Sequence, residues 1–312
     1  MPLDTCEAST DRRVYLDYTQ EALDRAYTQS AWAPNMQALL DDWSERSTAC
    51  RTPAFGYGEH AYGLSGDERI DVYDAPGRMV HFHIHGGAWR RQSKAACGFI
   101  AAAMRDLSVP FVIPEFGKLP QVRMPDVLDQ IARALAWTHE RFVRSGAADG
   151  IVVSGHSSGA HMAALLAAYD FAGKVPTTAL RAVLCISGAY DLAPVMLSSR
   201  GSYIDLTEGE RRRLSPIHRV ADTRVPIHLV FGARESPEFR RQSRAYAAAL
   251  AAGGRLASCT EIAGANHFEV ADQLGTPGTP VGDALAGLLT MPFRPRDMSP
   301  DTAADPRIRA AT

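Results

Sequence analysis

Residues 151–161 read IVVSGHSSGAH and contain the pattern Gly155-His156-Ser157-Ser158-Gly159. An apolar run precedes the pattern and an alanine-rich run follows it, which predicts a strand, a sharp turn and a helix. Such a turn lifts its central residue out of the sheet, and glycines two positions to either side let strand and helix approach closely. We therefore predict that Ser157 is a nucleophile. Ser158 is the alternative nucleophile, and a chance glycine-rich connection is the alternative to a catalytic turn.

Outward from this turn, short β-rich runs alternate with helical stretches. The strand candidates are residues 70–73, 80–85, 111–114, 151–154, 182–187, 227–231 and 257–262. The helix candidates are residues 18–30, 34–49, 128–135, 160–169, 208–214 and 240–252. Several of the strands are almost uniformly apolar, as strands covered on both faces are. The order predicts an α/β fold, a mostly parallel doubly wound sheet with helices on both faces.

The pattern also suggests a division of the chain. Residues 1–65 read as an N-terminal helical cap segment that is not sheet-like up to about Tyr62, with Pro34 placed to start its second helix. Residues 66–291 are predicted to form the α/β core, with a cap insertion at 198–218 that is polar and irregular. Residues 292–312 carry four prolines and many charges, which is typical of a loosely packed tail.

Composition narrows the function class. The 312 residues carry a net charge of −2, which argues against a nucleic-acid or anionic-membrane partner. Neither the start, MPLDTCEASTDRR, nor any later stretch has the apolar run of a secretory signal or membrane span. Five cysteines without C-x-x-C spacing predict reduced thiols and a cytoplasmic location. Among them, Cys185 and Cys259 lie in strand-like runs and are expected to be small buried residues rather than nucleophiles.

A second motif ends the strand candidate at 80–85. Residues 80–89 read VHFHIHGGAW, and a turn of this type after this strand supplies backbone N–H groups to an oxyanion in α/β hydrolases. We predict that Gly86, Gly87 and Ser158 frame such a site. The period-two histidines of this strand could instead bind a metal. Because no nearby acidic or cysteine residue completes a ligand set, we expect packed histidines, with neither metal nor cofactor.

The base and the acid are expected later in the chain. His267, in ASCTEIAGANHF, follows the last strand candidate and is the best-placed base, since other histidines lie inside predicted helices or strands or before a strand. The acid is either Glu235, after residues 227–231, or Asp191, after residues 182–187. We favour Glu235 because the order Ser157, Glu235, His267 is typical of α/β hydrolases. Asp191 stays open as the alternative acid, or as a helix N-cap.

Taken together, these segments resemble the kynurenine formamidase (arylformamidase) family of α/β hydrolases. The resemblance covers residues 15–290 and includes YLDYTQEALDRAYTQS and ERIDVYDAP near the N-terminus. Its motifs are HGGAW at 85–89, GHSSGAH at 155–161, SGAYDL at 187–192, GARESPEFRRQS at 232–243 and NHF at 266–268. The stretch SPEFRRQS is the most specific of them, because the fold alone does not require it.

The resemblance implies a metal-independent enzyme of tryptophan catabolism that hydrolyses N-formyl-L-kynurenine to L-kynurenine and formate. It implies the triad Ser157, Glu235 and His267, and an oxyanion hole at Gly86, Gly87 and Ser158. Two positions depart from the family. It usually has aspartate where Glu235 stands, and the longer acid is expected to shift the base. It usually has alanine where Ser158 stands, and the serine is expected to crowd the oxyanion pocket.

The expected partner is a small aromatic substrate, with no nucleic acid and no membrane, and a homodimer stays open. Candidates to line an aromatic pocket are Trp89, Trp32 and Tyr57, and also Trp43 and Phe55, unless these are simply core residues. Two other functions stay open. One is a carboxylesterase or amidase for a small aromatic or secondary-metabolite ester or amide. The other is a non-catalytic binding scaffold, which the triad and the HGG turn speak against.

Overall fold

The computed structural model describes residues 12–290. The predictions for the extreme N-terminus, for Cys6 and for the tail at 292–312 lie outside these residues. Its strands are β1 (Arg13–Tyr15), β2 (Tyr18–Thr19), β3 (Tyr57–Ala61), β4 (Arg69–Tyr73), β5 (Met79–Ile84), β6 (Phe111–Pro114), β7 (Gly150–His156), β8 (Leu180–Ile186), β9 (Ile227–Gly232) and β10 (Leu256–Ile262). Its α-helices are α1 (Gln20–Tyr27), α2 (Met36–Cys50), α3 (Ala101–Asp106), α4 (Met124–Thr138), α5 (Ser158–Leu166), α6 (Leu192–Leu197), α7 (Glu208–Arg213), α8 (Pro237–Ala252), α9 (His267–Asp272) and α10 (Pro280–Thr290).

Eight strands form one sheet in the order β10-β9-β8-β7-β5-β6-β4-β3. The strands from β10 to β6 are parallel, and β4 and β3 are antiparallel to their neighbours. Helices cover both faces, so neighbouring residues of β7 pack into opposite core clusters, Val152 into one and Ile151 and Val153 into the other. This arrangement confirms the predicted mostly parallel, doubly wound α/β fold.

All seven predicted strands are present, with bounds that differ by at most two residues. The expectation that the first 62 residues contain no sheet is wrong, because β1 pairs with β2 and β3 pairs with β4. The sequence of β3, YGEHA, is short and polar and has a neighbour on one side only, as edge strands often do. The second helix starts at Met36 rather than at Pro34, and the first starts after Thr19, whose hydroxyl caps it.

Hydrogen bonds join the N-terminal segment to the start of the insertion at 198–218. The Gln20 side chain donates a hydrogen bond to the carbonyl of Leu197 (2.9 Å), and the backbone N–H of Ser199 donates to the Asp24 carboxylate (2.5 Å). The insertion contains a 3-10 turn at Ser199–Ser202 and α7. Within residues 12–290, none of the helices combines the length and apolar character that a bilayer crossing needs.

The four cysteines in the described part of the chain are free thiols. Cys185 is fully buried in the core as expected, and burial raises the pKa of its thiol. The expectation for Cys259 is wrong, since it is exposed. Its strand, β10, lies at the edge of the sheet, where side chains remain accessible to solvent.

Candidate active site

Ser157 lies on the sharp turn between β7 and α5. Its backbone adopts φ 56° and ψ −119°, a strained conformation for a residue with a side chain. The flanking glycines are required by close packing, because a Cβ at Gly155 would collide with the carbonyl of Gly159, and one at Gly159 would collide with that of Ile84. The structure therefore gives Ser157 the strand–turn–helix setting that the sequence predicts for a nucleophile.

His267 and Glu235 form a buried acid–base pair. The imidazole Nδ1 of His267 lies 3.1 Å from Oε2 of Glu235, and the two residues are 1% and 2% exposed. The other carboxylate oxygen of Glu235 accepts hydrogen bonds from the Ser187 hydroxyl (2.6 Å) and the Gly232 backbone N–H (2.5 Å). The carboxylate is thus fixed at three points. With Nδ1–H donating to Glu235, the lone pair on Nε2 of His267 is left to accept a proton.

His156, the residue before Ser157, contacts His267. The His156 and His267 rings pack with centroids 4.6 Å apart, and Nε2–H of His156 donates to the His267 carbonyl (2.9 Å). Burial lowers the pKa of His156, which keeps this ring neutral. Among the residues that the structure describes, no hydrogen bond joins the Ser157 hydroxyl to His267. Contacts of this kind often tighten only when substrate binds.

Asp191, the alternative acid, has another role in the structure. Its carboxylate accepts the backbone N–H of Ala193 (2.9 Å) and caps α6, which is the N-cap role left open above. The carboxylate bonded to His267 is that of Glu235. Sequence reasoning missed Ser187, although it begins the SGAYDL motif and directly follows β8, the strand next to β9.

The turn after β5 brings free backbone donors to the nucleophile. A Cβ on Gly86 would lie 3.3 Å from the Ser157 Cβ, so this glycine faces the serine directly. Gly87 has φ 104° and its carbonyl accepts two backbone N–H groups. Within residues 12–290, the amides of Gly86, Gly87 and Ser158 donate to no protein acceptor. Ser158 also opens α5, whose N-terminal partial charge favours an anion.

A partly buried cluster of His85, Glu115 and Lys118 supports this turn. Nδ1 of His85 lies 2.8 Å from the Gly86 carbonyl, and Nε2 lies 3.1 Å from the Lys118 ammonium, which is also paired with Glu115. Burial lowers the pKa of His85, and its Nε2 also lies 3.0 Å from Oε1 of Glu115. Burial alone would raise the pKa of Glu115, but its hydrogen bond with His85 and the charge of Lys118 lower it to about 2. Sequence reasoning missed Glu115 and Lys118.

The two remaining histidines of β5 are packed side chains. His81 and His83 both contact the Ser154 hydroxyl, at 2.7 and 2.8 Å, and burial lowers the pKa of His81 to about 3. In the described part of the chain, no three His, Cys, Asp or Glu side chains are grouped as metal ligands would be.

The proposed pocket aromatics lie elsewhere. Tyr57 pairs with Tyr73, which pairs with Phe111, the first residue of β6. It therefore lies near the amino ends of the parallel strands, whereas Ser157 lies at their carboxyl ends, and this register contradicts a pocket role. Trp89 is 1% exposed and its indole donates to His161 (3.2 Å), so it is a core residue. Trp32 is half-buried on the N-terminal segment and donates to the carbonyl of Arg25 (3.0 Å).

Other aromatic residues do approach the base. The ring of Phe239, in α8, lies 4.9 Å from the His267 ring, edge to face. The ring of Tyr27, at the end of α1, lies 5.8 Å from that of Phe239. Both belong to segments that carry the family resemblance, but the sequence does not show that α1 and α8 meet beside His267.

Comparisons with known proteins agree with this fold. A family model for the α/β-hydrolase fold matches residues 81–270. The chain is 26% identical to a kynurenine formamidase from Danio rerio, over 82% of this chain and 92% of that protein, and 25% identical to one from Salmo salar, over 83% and 92%. It is 31% identical to esterase LipQ from Mycobacterium tuberculosis, over 67% of this chain and 56% of that protein.

A solved structure from Silicibacter sp. tm1040, with a suggested thioesterase activity, superposes with a TM-score of 0.74 at 22% identity, covering 86% of this chain and 99% of that chain. At that identity the likeness supports the fold alone. The family match spans more than half of the chain, and the formamidases match nearly to their full length. The chain is therefore a kynurenine formamidase-like member of the α/β-hydrolase family.

Proposed function

We propose that the chain is a metal-independent serine hydrolase that cleaves an aryl formamide, with N-formyl-L-kynurenine as substrate and L-kynurenine and formate as products. The observation that carries the hydrolase proposal is the placement, after the carboxyl ends of the parallel strands, of Ser157 in its strained turn, free amides beside it and the Glu235–His267 pair. The choice of substrate rests on the similarity to kynurenine formamidases over nearly their whole length.

In the first half of the proposed reaction, the Ser157 hydroxyl attacks the formyl carbon while Nε2 of His267 takes its proton. The negative charge on the formyl oxygen is stabilised by the amides of Gly86, Gly87 and Ser158. His267 then gives the proton to the aryl nitrogen, the C–N bond breaks, and the arylamine leaves a formyl ester on Ser157. An aryl amine is a better leaving group than an alkyl amine, which favours formanilides.

In the second half, water attacks the formyl ester and His267 takes one of its protons. The C–O bond to Ser157 breaks, the hydroxyl recovers that proton, and formate departs. Throughout, Glu235 holds the imidazole through Nδ1–H and stabilises its positive charge.

A carboxylesterase is the second candidate, because the same machinery serves esters and the chain is 31% identical to esterase LipQ. Measuring kcat/KM for N-formyl-L-kynurenine and for short p-nitrophenyl esters separates the two. Turnover of the esters with negligible turnover of the formamide would reject the formamidase and leave the esterase.

Replacing the nucleophile tests the hydrolase proposal itself. We expect Ser157→Ala to lower kcat by about a thousandfold or more, because the amides and the binding surfaces alone supply only part of the rate. A fluorophosphonate probe followed by peptide mass spectrometry should label Ser157 in the wild type. It should still label this residue in Ser158→Ala, because Ser158 contributes its backbone N–H. Labelling that persists in Ser157→Ala would contradict the assignment.

A further inference from the structure

Arg200 is buried without a counter-ion. It is 9% exposed and lies in the 3-10 turn of the insertion, where its guanidinium donates one hydrogen bond, to the carbonyl of Tyr27 (2.7 Å). No carboxylate in the described part of the chain lies within ion-pair distance of it. Glu238, which also contacts Tyr27, is already paired with Arg241 (2.7 Å). A buried arginine without an acidic partner is uncommon, because burial of an unpaired charge is costly.

Two more arginines lie close to Arg200. The Arg90 guanidinium stacks on the ring of Tyr203, 5.0 Å from its centroid, and the charge of Arg91 acts on Arg200. Neither Arg90 nor Arg91 forms an ion pair with another described residue. We call Arg90, Arg91 and Arg200 the arginine cluster. The charges of Arg91 and Arg200 repel each other, so an anion bound beside them would relieve part of the cost of burying Arg200.

The arginine cluster borders the candidate active site on two sides. The backbone N–H groups of Arg90 and Arg91 both donate to the carbonyl of Gly87, at 3.1 and 2.7 Å, in the oxyanion turn. Arg200 lies 5.8 Å from the ring centroid of Phe239, and that ring lies 4.9 Å from the His267 ring, which places the guanidinium within about 11 Å of the base. A small substrate is long enough to span this distance.

We propose that the arginine cluster, with Arg200 at its centre, binds a carboxylate at the end of the substrate opposite to the scissile bond. The substrate class is then a small aryl amide or ester that carries a carboxylate. An arginine fits this group because its planar donors match the two oxygens of a carboxylate and its charge is permanent. This inference rests on the proposed hydrolase function, and it names what selects the substrate.

The test compares substrates with and without a carboxylate. One pair is N-formyl-L-kynurenine and 2′-formamidoacetophenone, which lacks the amino-acid tail. A second pair, 3-(4-acetoxyphenyl)propionate and 4-propylphenyl acetate, exchanges a carboxylate on the leaving group for a methyl group. The measured quantity is the ratio of kcat/KM for the carboxylate substrate to that for its neutral partner. The variants are Arg200→Gln, Arg200→Lys and, as a matched control, Arg212→Gln, which removes an exposed charge from the same insertion.

We expect Arg200→Gln to lower this ratio by about 10- to 100-fold in at least one pair, as the loss of a charge-assisted contact does. Arg200→Lys should recover part of it, and Arg212→Gln should keep the wild-type ratio. An equal ratio in wild type and Arg200→Gln for both pairs would overturn the anion site while leaving the hydrolase proposal intact.

The two proposals fail in different ways. If the wild type hydrolyses neither the formamides nor the esters, the proposed function is rejected before the arginine cluster is tested. If it hydrolyses the esters only, the ester pair still decides the role of Arg200. Because the ratio is taken within one protein preparation, a variant that folds poorly lowers both rates and leaves the ratio unchanged.

Discussion

At the scale of single residues, the function of Glu235 depends on how its two oxygens divide their partners. One oxygen accepts from Ser187 and Gly232, and the other accepts from His267. A carboxylate can serve all three donors because both of its oxygens are acceptors. An amide has only one acceptor oxygen, so it cannot do the same.

We therefore expect Glu235→Gln to lower kcat by about 10³- to 10⁴-fold. The amide oxygen would stay with the Gly232 N–H and the Ser187 hydroxyl, and the NH₂ group would turn toward His267. The His267 ring would then carry the proton on Nε2 and could not accept one from Ser157. Steady-state kinetics measures the loss, and a thermal melt checks that the variant is folded. A folded variant with wild-type kcat would show that Glu235 does not hold the base.

The residue scale also shows what the sequence predicted and what it could not. Ser157, Glu235 and His267 could be predicted because each follows a strand and carries a side chain suited to one catalytic role. Ser187 and Glu115 could not, because their roles depend on which strands are neighbours, β8 beside β9 and β5 beside β6. Motif spacing along the chain does not contain that order.

At the scale of elements, the base is positioned by the start of a short helix. His267 is the first residue of α9, and Asn266 caps this helix in a reciprocal arrangement with Glu269. Asn35, at the N-terminal end of α2, stabilises the same cap. Its amide nitrogen donates to Glu269 and its amide oxygen accepts from Asn266, both at 2.8 Å. The sequence predicted α2 but not this contact, which joins residues more than 200 positions apart.

We expect Asn35→Ala to lower the free energy of unfolding by about 1 kcal/mol and kcat by roughly 3- to 10-fold, because the cap of α9 loses two partners and His267 gains freedom. Urea unfolding and steady-state kinetics measure the two effects. Gln37→Ala is the control on the same helix, since Gln37 contacts only the exposed Asp41. If both variants behaved alike, α2 would have no part in positioning the base.

At the scale of the whole molecule, burial of histidines makes stability depend on pH. Burial lowers the pKa of His161 to about 4 and that of His81 to about 3, and it lowers those of His83 and His156 well below the usual value of 6.5. The uniformly apolar strands predicted a sheet covered on both faces, and these histidines are buried by the elements that cover it. The sequence showed where these histidines lie along the chain but not how deeply they are buried.

The sign of the effect follows from these shifts. Each ring is neutral in the folded chain and takes up a proton near pH 6.5 when the chain unfolds, so the unfolded state binds more protons as the pH falls. The stability that the neutral rings provide is present above about pH 6.5 and is lost as the pH falls toward 4. The lowered pKa of Glu115 also makes stability fall as the pH falls, but only below about pH 4.5. The histidines therefore dominate the pH dependence between about pH 6.5 and 4.5.

We therefore expect the free energy of unfolding, measured with urea, to fall steadily between pH 6.5 and 5, and His161→Gln to reduce the slope by up to about 1.4 kcal/mol per pH unit. Nε2–H of His161 donates to the Leu214 carbonyl (2.6 Å), and a glutamine amide can still donate there without titrating. His218→Gln removes an exposed imidazole from the insertion and should keep the wild-type slope. Equal slopes in the wild type and His161→Gln would mean that the ring at position 161 is as easily protonated in the folded chain as in the unfolded one, and the account of the buried histidines would then fail.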